Sequence, residues 1–567
     1  MEKLELHRKG ALFMKEILVR SSQVYYHFLE ENALGLEEIK ILSFSLNDEE
    51  ISFSLKGKVF NPESLILRIE DEEFLVGEEG LEQKYFDERS NNLCLSIDKN
   101  IHQKLTKTKK ERVFLFSDLK FLVKNVENYF ETISDLNFPD SCIGIEPIIS
   151  KEPTLEQALA IKNIFSHPLT YVWGPPGSGK TQIVLFESLF SLIQAGKKVC
   201  VLAPTNNSLE QVLKTLIKKF DALELNREKI LRLGMPTSGF LNTYIEVCDP
   251  NILKKSAPQS LFSYAFNFKD RLKEALVVGM TVDGFIRRYK ALEVKFDHIF
   301  LDECAFTPLI KACALCVDNT PLTFLGDHKQ LSPICQMPEM QIAQEENFYA
   351  NLWNLSALNL EEFLMSKNFE RENPIFSKSQ YQEVEFKNIC VMKLTKTHRY
   401  GDNLARILDG HIYKNGLRGT KLQTELFYVD SKREPKDKTH TSINEAKNAL
   451  ELVQTFWGSD YAVLTPFVKQ RRQMIEVGIP REKVWTIHSS QGQEFDTVIF
   501  SPVCLHYHLT NSSNIKALYA LNVAISRIKK RLIIVCDYDF WKSQNGQFIK
   551  NILELCSPFE AMTPLPF

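Results

Sequence analysis

At 567 residues the chain is long enough for about three or four domains, and its apolar share of 44% with 25% charged residues lets large cores form. A net charge of −3 excludes a globally basic protein, so any nucleic-acid site has to be a local groove. No apolar run approaches the ~20 residues of a membrane span and no signal peptide is evident, so no membrane association is expected.

The twelve cysteines have no spacing framework. Cys313-x-x-Cys316 has metal-like spacing but lies in the apolar stretch Leu309 to Val317 without a second pair, which favours packed core thiols over a zinc or redox site. The expected compartment is reducing and cytoplasmic.

In chain order, residues 1–35 have a helical pattern carrying Leu12, Phe13, Ile17, Val24, Phe28 and Leu29. Alternation then takes over at Ile41–Leu46, Ile51–Leu55 and Leu65–Ile69, with further strands at Leu93–Ile97 and Val113–Phe116 and a helix from Leu119 to Ile133. Residues 1–150 are therefore expected to form a small β-barrel on a helical stalk. The basic run Lys104, Lys107, Lys109, Lys110 and Arg112 falls in an expected loop of the barrel, either a solvated hairpin or a phosphate-contacting tip.

Thr154-Leu155-Glu156-Gln157 opens a helix whose inward face is expected to hold Leu155, Ala158, Leu159 and Phe165. Gln157 fits both a capping box with Thr154 and an adenine-reading amide before a phosphate loop; the sequence leaves both open.

The apolar run Thr170–Trp173 leads into Gly174-Pro175-Pro176-Gly177-Ser178-Gly179-Lys180-Thr181, with a helical pattern beyond. This is the G-x-x-x-x-G-K-[ST] spacing of a P-loop. Glycines let backbone N–H groups wrap a phosphate, Lys180 reaches the β- and γ-phosphates, and Thr181 offers a hydroxyl to Mg²⁺. ATP and Mg²⁺ are the expected cofactors. Strand and helix alternate onward, interrupted by a helical insertion at about 236–275, to His298-Ile299-Phe300-Leu301-Asp302-Glu303. There a strand ends in two acids, Asp302 for the metal shell and Glu303 for the attacking water. Gln330, past the strand Leu322–Leu325, is placed to sense the γ-phosphate. A second α/β series starts near Val391, and its loop Asp430 to Thr441 ends in a second expected capping box, Ser442-Ile443-Asn444-Glu445. The expected division is 1–150, 151–345, a connector at 346–390, and 391–567.

Taken in order, these segments resemble the Upf-like branch of superfamily 1 helicases, related to senataxin-like and immunoglobulin-switch-binding helicases, over roughly residues 152–540. Further segments that carry the likeness are Ala203-Pro204-Thr205-Asn206, Gly279-Met280-Thr281, Gly326–Leu331, Leu394–Tyr400, Thr465-Pro466-Phe467, Thr486–Asp496 and Asn522–Arg527. The resemblance implies two RecA-like parallel-sheet domains with ATP between them, in an α/β chain acting as a monomeric motor. It implies arginine fingers at Arg399 and Arg527 projecting from the second domain, and Glu494 near the ribose or the domain interface. Pro204, Thr205, Asn206, Thr281, Thr465 and Pro466 would line a groove for single-stranded DNA or RNA. It also implies 5′→3′ movement. The chain departs from the branch at Thr397-His398, where Gln-Tyr is usual, and at His488 and Ser490, where an acid and an aromatic are usual. The activity expected is ATP-dependent translocation and unwinding. The alternatives are an ATPase that remodels protein–nucleic-acid complexes and a scaffold with a vestigial site.

Overall fold

The computed structural model describes residues 2–560 apart from 57–63, 77–79, 88–90, 134–135, 137, 251–267, 367–369, 385, 388, 422, 436, 438 and 491. A helix, Glu2–Glu31, begins the chain. Eight strands follow: β1 (Leu36–Glu38), β2 (Ile41–Leu46), β3 (Glu50–Leu55), β4 (Leu65–Ile69), β5 (Glu72–Leu75), β6 (Leu81–Asp87), β7 (Asn92–Ile97) and β8 (Val113–Asp118). They form two antiparallel four-stranded sheets, β1-β8-β4-β5 and β2-β3-β7-β6. Ile51, Phe53, Leu65, Leu67, Leu93, Leu95 and Leu115 fill one core between them.

The basic run is not a hairpin loop. Lys99–Lys107 is a helix capped by Asp98, whose Oδ1 accepts from Ile101 N at 2.8 Å, and Ile101 and Leu105 are buried beneath it. Buried apolar residues at i and i+4 favour a helix here, and the lysines lie on its outer side. Lys104 pairs with Glu72 and stands 5.1 Å over the Phe74 ring.

The first helix and the helix Leu119–Thr132 pack on each other and then on the α/β region that follows. Tyr129 OH donates to Ala314 O at 2.8 Å, and Ser21 Oγ donates to Tyr349 O at 2.7 Å. Tyr349 and Trp353, in the expected connector, thus stand against the first helix, with Trp353 5.1 Å from Tyr25.

The next sheet has seven parallel strands: β9 (Leu169–Trp173), β10 (Val199–Ala203), β11 (Ile230–Arg232), β12 (Val277–Thr281), β13 (His298–Leu301), β14 (Leu322–Gly326) and β15 (Cys390–Lys393). Their order is β11-β12-β10-β13-β14-β9-β15. All the residues of β9, β10, β13 and β14 are buried, as helices on both faces require. β15 corrects the expectation that the second series begins at Val391. Val391 pairs with Tyr171 in the first sheet, because a parallel edge beside β9 was open to it. The second unit begins after a small ribbon of β16 (Lys396–Gly401) and β17 (Arg418–Lys421).

That unit has six parallel strands: β18 (Glu425–Asp430), β19 (Tyr461–Thr465), β20 (Val484–Thr486), β21 (Phe495–Phe500), β22 (Ile528–Cys536) and β23 (Ser557–Pro558). Their order is β20-β19-β21-β22-β18-β23. Of the expected 236–275 insertion, Ser238–Thr243 and Phe268–Glu274 are helices, and residues 251–267 lie outside the described residues. No helix among the described residues is long and apolar enough to cross a membrane.

Candidate active site

In the first sheet β14 lies between β13 and β9, so the turns after these three strands meet at one end. The turn after β9 is the glycine loop, that after β13 carries Asp302 and Glu303, and that after β14 carries Asp327 and Gln330. Carboxyl ends of parallel strands are where open α/β sheets bind ligands.

Gly177 (φ 79°) and Gly179 (φ 83°) take left-handed backbone, which a side chain resists. A Cβ on Gly177 would also stand 2.4 Å from Arg399 Cβ. The ammonium of Lys180 is bonded to Gly174 O and, at 3.3 Å, to Pro175 O. Ser178 Oγ is buried with no hydrogen-bond partner among the described residues. A donor left over inside a glycine cradle suits a phosphate oxygen.

Gln157 makes the capping bonds. Its Oε1 accepts from Thr154 N at 2.8 Å and Thr154 Oγ1 accepts from Gln157 N at 3.4 Å, completing the capping box. Its Nε2 donates to Ser178 O at 2.9 Å, so the amide braces the glycine loop. This inward turn also corrects the expected helix face. Gln157, Ala160, Ile161, Ile164 and Phe165 are buried, while Leu155 is 77% and Leu159 44% exposed. The two polar bonds of Gln157 set the rotation of the helix, and the leucines follow.

Thr181 Oγ1 donates to Asp302 Oδ2 at 3.0 Å, and Glu303 N donates to Asp302 Oδ1 at 3.0 Å. A hydroxyl and a carboxylate oxygen side by side are the hard donors that a Mg²⁺ ion takes. Burial raises the Asp302 carboxyl above its ordinary range, with the Lys180 charge opposing. Burial and the Asp302 charge raise that of Glu303. Glu303 also has left-handed backbone at φ 53°, a conformation costing ~1–3 kcal/mol for a non-glycine residue and often found at working sites.

Across the seam, Gln330 Oε1 accepts from Arg527 Nη2 at 3.0 Å. Burial lowers the Arg527 guanidinium to about 10, with Arg399 adding repulsion. Arg399 Nη1 donates to Ser526 O at 2.9 Å, and its Nη2 pairs with Glu494. The backbone carrying Arg399 does not stand off with the second sheet. Thr397 Oγ1 donates to Pro176 O and His398 N to Gly177 O, both at 2.8 Å, so β16 leans on the glycine loop. Thr397, a departure from the family pattern, is one of the residues making that contact.

Asp327 is the residue that sequence reasoning did not single out. It is 3% exposed and accepts from Trp173 Nε1 (3.0 Å), Lys329 N (3.1 Å), Gln330 Nε2 (2.9 Å) and Tyr413 OH (2.6 Å). Tyr413 OH in turn accepts from Asn522 Nδ2 at 2.8 Å. An acid directly after a buried strand, three residues before Gln330, was the available signal.

The expected groove residues separate into two groups. Thr205 and Thr281 are N-caps, their hydroxyls accepting from Ser208 N at 3.2 Å and Gly284 N at 3.0 Å. Asn206 is held by Arg232 Nη2 at 2.8 Å, and Pro204 is half-buried. Pro204, Thr205 and Asn206 follow β10 and Thr281 ends β12, its neighbour, so two helix N-termini face the same end. Thr465 and Pro466 are buried, and Phe467 N donates to Thr465 Oγ1 at 3.4 Å.

Cys313 and Cys316 are fully buried core thiols, pushed up by burial, that of Cys316 to about 12. The second expected capping box forms only half. Ser442 Oγ accepts from Glu445 N at 3.3 Å, but Ser442 N donates to Gln470 Oε1 at 2.8 Å. The Glu445 side chain turns inward, accepting from Ser501 Oγ at 2.5 Å and Val503 N at 3.2 Å.

Two family models, each described as an AAA domain, match residues 154–269 and 390–539. The DNA replication ATP-dependent helicase/nuclease JHS1 of Arabidopsis thaliana is 23% identical, covering 75% of this chain and 32% of its own. The ATP-dependent helicase MJ0104 of Methanocaldococcus jannaschii is also 23% identical, covering 67% of each. The regulator of nonsense transcripts 1 homolog of Neurospora crassa is 24% identical over 69% of this chain and 38% of its own. The chain thus spans about a third of the plant relative and two thirds of the archaeal one. Each parallel-sheet unit contains most of one of the two matched AAA-domain regions, and the chain is similar to the Upf1-like branch of the superfamily 1 helicases.

Proposed function

We propose that this chain is an ATP-dependent helicase that moves along single-stranded DNA or RNA in the 5′→3′ direction. The observation that carries the reading is the Gln330–Arg527 bond at 3.0 Å, which joins the strand end beside Asp302 to the second sheet. A nucleotide between the two units would be sensed by both.

In this reading Lys180 exchanges the carbonyls of Gly174 and Pro175 for the β- and γ-phosphates of substrate ATP. Thr181 and Asp302 would hold Mg²⁺, which would offset phosphate charge. Glu303, with its carboxyl raised by burial and by Asp302, takes the proton from the attacking water. Arg527 and Arg399 stabilise the charge on the transferring phosphoryl group, a contribution of about 10³–10⁵ in related enzymes. Glu494, paired with Arg399 here, is freed when that arginine turns to the phosphate. Gln330 reports phosphate state across the seam. The strand lies over the helix N-termini at Thr205 and Thr281 and reaches the second unit beyond Thr465-Pro466. Backbone-directed contacts of this kind hold it without sequence preference.

The test is strand displacement on duplexes carrying a single-stranded tail at the 5′ or the 3′ end. Displacement that requires ATP and a 5′ tail is the expected result. Displacement only from a 3′ tail overturns the polarity. ATPase activity that rises with single strands, yet displaces none, favours the remodelling reading.

A further inference from the structure

We propose that a cluster of rings on the second sheet's loops, built on His440, Phe467 and His506 and tipped by Tyr507 and His508, is a stacking platform for unpaired nucleobases. This rests on the helicase reading and deepens it by naming where the second unit grips bases.

β19 and β21 are neighbours and parallel, so the turns after them emerge side by side. The turn after β19 is Thr465-Pro466-Phe467; the turn after β21 leads through Ser501, Pro502 and Val503 to His506. The His440 and Phe467 rings are stacked, with centroids 4.8 Å apart and planes 3° from parallel. His506 meets both edge-on, at 5.0 Å from His440 and 5.7 Å from Phe467. Tyr507 and His508 are 4.9 Å apart at 81°, and Tyr507 is 63% exposed. Single exposed apolar residues are ordinary; contiguous rings on one rim are not.

The platform is rigid. The N–H groups of Leu509, Thr510 and Asn511 all donate to His506 O, at 3.1, 3.0 and 3.0 Å. His506 N donates to Thr510 Oγ1 at 2.7 Å, and Thr510 Oγ1 donates to Cys504 O at 2.7 Å. Two strained residues aim the loops. Val503 (φ 62°) is β-branched in left-handed backbone, held by its bond to Glu445, and His440 has φ 66°. A loop already ordered loses little entropy on binding.

The surroundings suit a polyanion. Lys469, two residues past Phe467, is exposed. Lys469 and Arg433, with His506, add to burial in holding His440 below the ordinary histidine range. Cations flanking aromatic faces are the recurring arrangement for single strands, where phosphates meet charge and bases meet rings. Continuity with Thr465-Pro466 puts the platform at the end of the sheet where the strand is expected to lie.

The experiment uses the full chain and short single strands of DNA and of RNA, each carrying fluorescein or 2-aminopurine. Fluorescence anisotropy reads affinity and 2-aminopurine quenching reads stacking. Tyr507→Ala with His508→Ala is expected to weaken binding of at least one polymer about tenfold, abolish the quenching, and leave ATPase activity without nucleic acid unchanged. Tyr507→Trp is expected to keep the quenching, which a merely structural role would not predict. The parallel DNA and RNA arms show which polymer is held. If the double variant binds and quenches both polymers as the wild type does, the platform is overturned while the helicase reading stands. If the wild type binds neither polymer, both fall.

Discussion

Replacing Tyr413 by Phe removes one hydroxyl from the seam between the two sheets. That hydroxyl donates to Asp327 Oδ2 at 2.6 Å and accepts from Asn522 Nδ2 at 2.8 Å. Asp327 keeps Trp173, Lys329 and Gln330 as donors, and Asn522 keeps Lys329 O at 2.8 Å. A hydrogen bond to a charged group contributes about 1.5–3 kcal/mol, and the three remaining donors to Asp327 put the expected loss near 2 kcal/mol. The same hydroxyl sits two bonds from Gln330, so loosening it also frees the Gln330–Arg527 contact. If all of that energy is lost from the closed, reacting state, kcat falls roughly thirtyfold. Thermal unfolding and steady-state ATPase assays on Tyr413→Phe and wild type, side by side, read both effects. An unchanged Tm and an unchanged kcat would refute the reasoning that Asp327 couples the two units.

Two other perturbations follow from the same geometry. Lys180→Ala and Glu303→Gln are each expected to abolish ATP hydrolysis while leaving the circular dichroism spectrum intact; wild-type turnover by either pure variant contradicts the site assignment. Glu445 is the pH-dependent element. Burial pushes its carboxyl up to about 8, so the folded protein holds a proton that the unfolded chain releases near the ordinary glutamate range. The folded state then binds more protons between those values, and stability falls as pH rises through the window. Glu445→Gln, which keeps the shape without the charge, is expected to flatten the decline in Tm between about pH 5 and pH 8. Parallel declines for both proteins would show that Glu445 is not the group responsible.

The sequence was most legible where chemistry demands particular residues at fixed spacing. The glycine loop, Asp302 and Gln330 converge as their order implied, because consecutive parallel strands must present their carboxyl ends together. It was least legible where a side chain had a choice of partners. Gln157 has the residue type for a cap, but only the tertiary structure supplies Ser178 O and so fixes the helix rotation that exposes Leu155. Glu445 sits at a capping position and leaves it, because Gln470 takes Ser442 N and Ser501 offers a bond in the core. β15 reads as the start of a new series, since apolar strands do not announce which sheet they will join. The ring cluster was invisible for a related reason. His440, Phe467 and His506 are far apart in the chain and meet only because β19 and β21 are neighbours.

The central claim is that ATP hydrolysis at Lys180 and Glu303 is coupled to a single strand held by both units. Its most direct test is the steady-state ATPase rate of the wild type with and without single-stranded DNA and RNA, over a series of salt concentrations. The rate is expected to rise with at least one polymer and the stimulation to weaken as salt rises, because the strand is held largely by its phosphates. A measurable rate indifferent to both polymers at every salt concentration would contradict the account.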